Sequence, residues 1–263
     1  MKPLFELRAS EAQKLEGLFF DLDDTVLDEG ELAASTYDAL FALKKSGLAL
    51  VVVTGRPSSW VQVVARMWPV DAAISENGAL GFMKVGSRLR CLDGVEAVER
   101  QSRRQRLSAL AQEMRRQFSE LVPTDDVGGR VSDYTFDIGE FQQVEAETVR
   151  RAREFARQRG ARTTVSSVHL HITFDRVDKA IGALAYAGRT MDVTRARYRY
   201  AFIGDSQNDA PCFAAFKTTV GVANCRGRFS IPPRYLTRQK RGAGFVEFAT
   251  QVCRLRGQGS DHG

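Results

Sequence analysis

Three aspartates crowd the end of an apolar run near the beginning of the chain. Residues 17–20 read Gly-Leu-Phe-Phe, and Asp21, Asp23 and Asp24 follow within four positions. Carboxylates at this spacing repel one another unless a positive charge lies between them. Because such crowding does not help a chain to fold, the segment is a candidate site for a cation and for acid–base chemistry.

Polar residues also follow two later apolar runs, residues 48–53 and 200–203. A further polar residue begins the helix that is predicted between these two runs. These residues are Thr54, Gly55, Arg56, Lys179 and the segment Gly204-Asp205-Ser206-Gln207-Asn208-Asp209. In open α/β sheets, ligands bind in the crevice at the carboxyl ends of the strands. We therefore expect these side chains and the first aspartates to share one crevice.

A divalent cation would relieve the repulsion among these carboxylates. On an extended segment, Asp21 and Asp23 are two positions apart and point to one side, and Asp205 and Asp209 add two more carboxylates. Oxygen ligands with room for water suit Mg²⁺, whereas Zn²⁺ prefers histidine and cysteine. The sequence therefore predicts Mg²⁺ as the cofactor.

The same residues suit phosphoryl transfer through an aspartyl-phosphate. Asp21 would attack phosphorus, and Asp23 would protonate the leaving oxygen and then deprotonate the attacking water. Thr54 would hydrogen-bond a phosphoryl oxygen, and Lys179 would neutralise the charge that gathers on the equatorial oxygens in the transition state.

The composition is that of an ordinary globular protein. The chain has 263 residues, of which 43% are hydrophobic, and its formal charge is +6. Its apolar runs are much shorter than the roughly 20 residues that span a bilayer, and its first residues do not resemble a secretory signal. We expect a cytoplasmic protein without a membrane partner.

Arginine supplies the positive charge, in clusters at residues 100–106, 150–153 and 238–241. Such clusters permit an anionic substrate or nucleic acid. The first cluster lies beside apolar residues at helical spacing, and no nucleic-acid recognition motif accompanies the charge. Solvated helix faces are therefore the favoured interpretation, and the pattern argues against a nucleic-acid partner.

Strands and helices alternate at both ends of the chain. Strands are predicted over 18–20, 48–53, 72–74, 200–203 and 218–222, and helices over 31–46, 58–67, 179–187 and 209–216. The run 48–53 is continuously apolar, which is typical of a strand covered on both faces. This rhythm predicts an α/β fold with a Rossmann-like, doubly wound parallel sheet.

The middle of the chain has a different pattern. A hairpin is predicted over 82–85 and 88–92, followed by a long helix to about residue 120. A strand over 131–138, a helix over 144–157 and one or two strands within 163–174 complete it. The sequence therefore predicts a core of residues 1–81 and 177–263, interrupted by an inserted α+β cap, residues 82–176.

The ordered set of motifs resembles the haloacid dehalogenase-like superfamily of hydrolases. The first motif stands as Asp21-Leu22-Asp23-Asp24-Thr25-Val26-Leu27, the second as Thr54, the third as Lys179 and the fourth as the segment 204–209. The insertion between the second and third motifs, preceded by Glu76-Asn77-Gly78-Ala79, resembles the type IIB cap. This cap is shared by Cof-like sugar phosphatases, sucrose-phosphate phosphatase and mannosyl-3-phosphoglycerate phosphatase.

The resemblance implies a role for each matching residue. Asp21 is the nucleophile and a Mg²⁺ ligand, and Asp23 is the acid–base residue and gives its backbone carbonyl to the metal. Asp205 is a metal ligand, and Asp209 is either a ligand or a support for one. The residues implied to hold phosphate are Thr54, Gly55, Lys179 and Asn208. Arg56 and Asn77 are candidates for substrate contact, although the Arg56 guanidinium could equally bridge acidic groups.

These observations predict a Mg²⁺-dependent phosphatase of a small phosphorylated metabolite, with a sugar phosphate as the expected substrate. A phosphomutase is the first alternative, since phosphomannomutase resembles the same core and cap. A non-catalytic, nucleic-acid-binding protein on this fold is the second. No oligomeric state is predicted.

Overall fold

The computed structural model describes residues 1–166, 168–225 and 229–257. The strands, in chain order, are β1 (Lys2–Pro3), β2 (Gly17–Phe20), β3 (Ala49–Val53), β4 (Ala72–Ser75), β5 (Leu80–Val85), β6 (Arg88–Asp93), β7 (Val122–Pro123), β8 (Asp133–Asp137), β9 (Arg162–Val165), β10 (His169–Thr173), β11 (Tyr200–Gly204), β12 (Thr218–Gly221) and β13 (Tyr235–Leu236). The helices are α1 (Ala9–Ala12), α2 (Ala34–Lys45), α3 (Ser58–Met67), α4 (Ala97–Gln117), α5 (Ala146–Gln158), α6 (Lys179–Ala187), α7 (Val193–Arg199), α8 (Ala210–Ala215) and α9 (Arg241–Gly257).

The larger sheet has nine strands in the order β1-β13-β12-β11-β2-β3-β4-β5-β6. The pairs from β1 to β4 are parallel, whereas β5 and β6 add an antiparallel edge. All residues of β2, β4 and β11 are buried, and separate apolar clusters cover the two faces of the sheet. Strands buried on both faces explain the continuous apolar runs. The predicted α/β, Rossmann-like sheet is confirmed.

Most elements of this core lie at the positions that were predicted from the sequence. The helices predicted over 58–67 and 179–187 are Ser58–Met67 and Lys179–Ala187. Helix α2 begins later than the predicted residue 31, because residues 28–31 form a tight turn. In that turn Asp28 and Glu31 exchange two backbone hydrogen bonds, of 2.8 and 3.0 Å. Closing the turn removes these residues from the helix.

A second, antiparallel sheet has the order β7-β8-β10-β9. Helices α4 and α5 pack on it through an apolar cluster that includes Leu110, Phe136 and Ile172. This unit lies between β6 and α6 along the chain. It has its own sheet and its own buried cluster.

The hairpin of β5 and β6 belongs to the larger sheet. The boundary predicted from the sequence, residue 82, assigns the hairpin to the insertion but falls inside β5. In the structure β5 pairs with β4 in an antiparallel ladder, with Ser75 opposite Leu80. The short turn between these two strands folds the hairpin back on the core. The chain that forms the second sheet therefore begins after Asp93.

In the parts of the chain that the structure describes, each helix is too short or too polar to cross a bilayer.

The turn after β4 packs closely against the first turn of α6. Gly78 has a φ of 105°, and an ideal Cβ built on it would lie 2.1 Å from the carbonyl oxygen of Asp178. A Cβ built on Gly182 would lie 2.6 Å from the Cα of Gly78. The two glycines therefore allow the two backbone segments to come into direct contact. This contact fixes the position of α6, which begins with Lys179.

Gly182→Ala should destabilise the protein by roughly 1–3 kcal/mol, because the added methyl meets backbone that cannot move aside easily. Urea denaturation followed by circular dichroism measures the change. Gly94→Ala is the matched control, since an added Cβ there meets no atom within 4 Å. Equal stability of the two variants would contradict the close packing.

Candidate active site

Polar residues at the carboxyl ends of four neighbouring strands line one edge of the larger sheet. Asp21 follows β2, and its N–H donates to the Ile203 carbonyl of β11 over 3.0 Å. Thr54 follows β3, and its N–H donates to the Ile74 carbonyl of β4 over 2.9 Å. Because the strands are parallel neighbours, the residues that follow them meet at this edge, as the sequence predicted.

Three aspartates form a cluster there. Asp21, Asp205 and Asp209 each offer a carboxylate oxygen, and these oxygens all lie within 4.8 Å of one another. Asp21 and Asp209 are buried, and Asp205 is half-buried. The arrangement is one that could hold a metal ion.

Lys179 lies against the cluster. Its Nζ is 2.7 Å from Oδ2 of Asp21 and 2.7 Å from Oδ1 of Asp209, and its side chain is fully buried. Burial alone lowers the pKa of Lys179, but the Asp209 and Asp21 carboxylates outweigh it and raise the pKa above its ordinary value. Lys179 therefore stays charged and compensates part of the negative charge.

One lysine does not compensate three carboxylates. Burial raises the pKa of Asp21 to about 7, and the charges of Asp209 and Asp23 add to the shift while Lys179 opposes it. Burial likewise raises the pKa of Asp205 to about 8, with contributions from the Asp209 and Asp21 carboxylates. The negative charge of the cluster is therefore only partly compensated, and a bound cation would stabilise the ionised carboxylates.

Asp209 is held by protein groups on both carboxylate oxygens. Oδ1 accepts from Lys179, and Oδ2 accepts the N–H groups of Asp205 and Ser206 over 2.9 and 3.1 Å. These bonds close the loop between β11 and α8 and fix the direction of the Asp205 side chain. The geometry favours a supporting position for Asp209 over direct ligation.

Asp205 is oriented from its other side by an amide. Nδ2 of Asn224 donates to Oδ2 of Asp205 over 3.2 Å and to the carbonyl of Asp24 over 2.9 Å. The Thr25 hydroxyl lies 3.5 Å from Oδ1 of Asp205. The Asn224 side chain thus links the first and fourth motifs.

Asp23 is not one of the three clustered aspartates. The chain bends after Leu22, whose carbonyl accepts the N–H groups of Val26 and Leu27 over 2.9 and 2.8 Å. The expectation that Asp21 and Asp23 point to one side assumed an extended segment, whereas the chain turns at this point. Asp23 instead has a side chain that is 46% exposed.

Arg56 holds the Asp23 carboxylate. Its Nε lies 3.0 and 3.1 Å from the two carboxylate oxygens, and its Nη2 lies 2.5 Å from Oδ1. The guanidinium also stacks over the ring of Trp60, 4.2 Å from the centroid. Of the two interpretations that the sequence left open for Arg56, the structure shows the bridge to an acidic group.

The residues predicted to hold phosphate lie beside the cluster. Thr54 is fully buried, and its Oγ1 accepts the N–H of Arg56 over 3.1 Å. The Asn77 N–H donates to the Thr54 carbonyl over 3.0 Å, and its side-chain amide lies 3.4 Å from that of Asn208 and next to Gly55. Thr54, Gly55, Asn77 and Asn208 are therefore neighbours.

Two charged residues near this edge were not predicted as site residues. Glu76 follows β4 and is buried, and Arg130 of the second unit is buried with its Nη1 3.0 Å from the Gly55 carbonyl oxygen. Glu76 stands after a strand of the same sheet as Asp21 and Thr54, so its position was a usable signal. The position of Arg130 had no such sequence signal, because it depends on the contact between the two units.

Residues 18–85 match the family model of haloacid dehalogenase-like hydrolases. The chain is 26% identical over 242 residues to a phosphoglycolate phosphatase of Archaeoglobus fulgidus, covering 89% of this chain and 95% of that protein. It is 25% identical over 241 residues to phosphoglycolate phosphatase 1 of Saccharolobus solfataricus, covering 89% and 94%.

Solved structures share the fold. The crystal structure of Thermoplasma acidophilum 0175 superposes with a TM-score of 0.75 at 17% identity, covering 92% of this chain and 99% of that one. The sucrose-phosphatase of Synechocystis, in complex with sucrose and phosphate, superposes with a TM-score of 0.65 at 16% identity, covering 90% and 98%.

The sequence matches extend across the larger sheet and the second unit, and the matched core segment contains the first two motifs. The chain therefore matches haloacid dehalogenase-like hydrolases in residues 18–85, is similar to two phosphoglycolate phosphatases over 89% of its length, and shares its fold with these solved structures.

Proposed function

We propose that the chain is a Mg²⁺-dependent phosphatase that hydrolyses a small phosphorylated metabolite through an aspartyl-phosphate on Asp21. One observation carries the proposal. The buried Asp21 carboxylate lies 2.7 Å from Lys179 and in a cluster with Asp205 and Asp209, at the edge of the sheet where Thr54 and Asn208 meet. A nucleophile, a fixed cation and polar groups for a phosphoryl group thus share one crevice.

The residues fit a hard divalent cation. The cluster offers oxygen donors alone and carries more negative charge than Lys179 compensates, which suits Mg²⁺. Asp21 and Asp205 would hold the ion together with the Asp23 backbone carbonyl, as the resemblance implies, and Asp209 would fix Asp205. When bound, Mg²⁺ supplies positive charge to the phosphoryl oxygens.

In the first step an oxygen of Asp21 attacks phosphorus, and the bond from phosphorus to the leaving oxygen breaks. Asp23 gives its proton to that oxygen. Lys179 and the hydrogen-bonding groups of Thr54 and Asn208 stabilise the charge on the transferring phosphoryl group. Asp21 then carries the phosphoryl group as an acyl phosphate.

In the second step water attacks the phosphorus of the aspartyl-phosphate. Asp23 takes a proton from this water, inorganic phosphate leaves, and Asp21 is free again. Arg56 contributes by holding the Asp23 carboxylate in one place, with Trp60 stacked on the guanidinium. A fixed position matters because one carboxylate must serve both the leaving oxygen and the water.

Two substrate classes are candidates. The similarity to two phosphoglycolate phosphatases favours a small phosphorylated carboxylic acid, with 2-phosphoglycolate as the first compound to test. The sugar phosphate predicted from the sequence is the second. The inserted unit that would select between them is the proposed cap, which we assign to residues 94–176.

Asp21→Asn should abolish phosphate release, because it removes the attacking charge at nearly constant volume. Asp23→Asn should slow turnover by about 10²–10⁴-fold while still allowing Asp21 to be phosphorylated. Steady-state assays and mass spectrometry of the quenched enzyme measure both effects. Asp24→Asn is the matched control from the same turn and should keep most of the activity. Turnover by Asp21→Asn above a trace would exclude Asp21 as the nucleophile.

Mg²⁺ affinity should rise as the pH rises from 6 to 8. The raised pKa values of Asp21, about 7, and Asp205, about 8, mean that these carboxyls hold protons in the metal-free protein at low pH. Binding must displace those protons, so affinity should change by up to about tenfold per pH unit for each proton released.

Calorimetric titration with Mg²⁺ in two buffers of different ionisation enthalpy counts the protons directly. Asp205→Asn should weaken binding and reduce the number of protons released. An affinity that stays constant between pH 6 and 8 would contradict the shared proton and metal site.

Phosphate release from a panel of phosphorylated compounds decides the substrate. With Mg²⁺ present, kcat/KM should be higher for 2-phosphoglycolate than for hexose phosphates, sucrose phosphate and nucleotides, and EDTA should stop the reaction. A higher value for a hexose phosphate would favour the sugar-phosphate candidate. Conversion of a sugar phosphate to its isomer without net phosphate release would identify a phosphomutase instead.

A further inference from the structure

We propose that Glu76 is a positioning residue that seats the cap loop, residues 129–133, and ties it to the groups that hold phosphate. The proposal rests on the proposed function, because it assigns these groups to phosphate binding. The seating contact itself is a separate structural claim and has its own test below.

The Glu76 carboxylate belongs to the core but is bonded mainly by the cap loop. Glu76 is 3% exposed. It accepts the N–H groups of Val131, Ser132 and Asp133 over 3.0, 2.5 and 3.1 Å and the Ser132 hydroxyl over 2.9 Å. From the core it accepts the N–H of Ser58 over 3.0 Å.

These donors replace the water that a carboxylate needs. An ionised carboxyl is costly to bury unless it is hydrogen-bonded, and successive backbone N–H groups form a concave site for an anion. Burial raises the pKa of Glu76, and the Asp133 carboxylate adds to the shift, whereas the donors on Ser132 and Val131 lower it. If the cap loop moved away, Glu76 would lose most of its partners at once.

The same loop contacts the second motif. Nη1 of Arg130 donates to the Gly55 carbonyl over 3.0 Å, and the Ser58 hydroxyl donates to the Gly129 carbonyl over 3.0 Å. Arg130 is held in turn by Asp126 and Asp133, at 3.0 and 3.1 Å. The cap loop therefore rests on residues 55–58 as well as on Glu76.

Glu76 begins an unusual turn that reaches the phosphate side. Glu76, Asn77 and Gly78 have φ angles of 49°, 54° and 105°, and two of these residues are not glycine. Such conformations persist where surrounding contacts impose them. Here the N–H of Glu76 donates to the Arg56 carbonyl over 3.1 Å, and that of Asn77 donates to the Thr54 carbonyl over 3.0 Å.

The turn therefore has two sides. The Glu76 side chain binds the cap loop, and Asn77 contacts Thr54 and lies 3.4 Å from Asn208. When the cap loop is bound, its donors fix the Glu76 carboxylate. The fixed carboxylate stabilises the left-handed conformation of the turn, and this keeps Asn77 in place. Lifting the loop should loosen the phosphate-holding groups without touching Asp21, Asp23 or Asp205.

Glu76→Gln tests this link, because it keeps the shape of the side chain and removes the charge and part of the accepting capacity. Hydrogen exchange followed by mass spectrometry should show the amides of residues 131–133 exchanging roughly tenfold faster or more than in the wild type. The KM for p-nitrophenyl phosphate and the inhibition constant of inorganic phosphate should rise together, with a smaller change in kcat.

Two further variants sharpen the experiment. Glu113→Gln is the matched control, since Glu113 is a cap residue with a side chain that is 45% exposed and paired with Arg159 at 2.7 Å, and it should change none of these quantities. Ser132→Ala removes one donor from the cap side and should speed exchange at residues 131–133. Added to Glu76→Gln, it should have little further effect, because both act on one contact.

The outcomes separate the claims. Unchanged exchange at residues 131–133 in both Glu76→Gln and Ser132→Ala would overturn the seating contact. Faster exchange with an unchanged inhibition constant for phosphate would overturn the link to the phosphate side. A wild-type enzyme that releases no phosphate from any ester would refute the proposed function, while the exchange data would still decide whether Glu76 seats the loop. If Glu76→Gln does not fold, Ser132→Ala decides from the other side.

Discussion

The repulsion among three clustered carboxylates, of which two are buried, is the constraint on which the site depends. Parallel strands β2 and β11 bring Asp21 and Asp205 together, and the loop after β11 adds Asp209. One fixed cation, Lys179 at the beginning of α6, compensates part of this negative charge. Its position depends in turn on the contact between Gly78 and Gly182, where side chains would force the helix away. A backbone contact in the turn after β4 therefore helps to set the position of the positive charge in the site.

The turn of residues 76–78 joins three parts of the molecule. Gly78 lets α6 approach, Asn77 reaches Thr54 and Asn208, and the Glu76 carboxylate receives the cap loop. A turn with three successive left-handed residues is costly by itself, at about 1–3 kcal/mol for each residue that is not glycine. Contacts on every side offset that cost, which makes the turn a rigid junction between the crevice and the inserted unit.

Sequence reasoning succeeded where a local pattern has one structural meaning. Continuous apolar runs marked buried strands, and polar residues after them marked the edge where Asp21, Thr54 and Asp205 meet. It failed where tertiary contacts decide. The orientation of Asp23 depends on a turn after Leu22 and on Arg56, and the hairpin of β5 and β6 joins the core because it folds back on β4. Glu76 stands at a strand end like the others, but most of its donors come from residues 131–133, which no local pattern connects to it.

The arginines at residues 100–106 illustrate the same limit and bear on how the inserted unit is attached. A solvated helix face was the favoured interpretation, yet Arg100 is 8% exposed and pairs with Asp93 and Asp175 at 2.8 and 2.5 Å. Asp93 ends β6 and Asp175 lies before α6, so these pairs clamp the two connecting segments together. Separating a buried ion pair leaves an uncompensated charge, at a cost of about 3–5 kcal/mol. The bonds of Glu76 to the cap loop go mostly to backbone N–H groups, which water can satisfy once the loop lifts. If the inserted unit opens, it should therefore rotate about the ion pairs of Arg100 and separate from the core at Glu76.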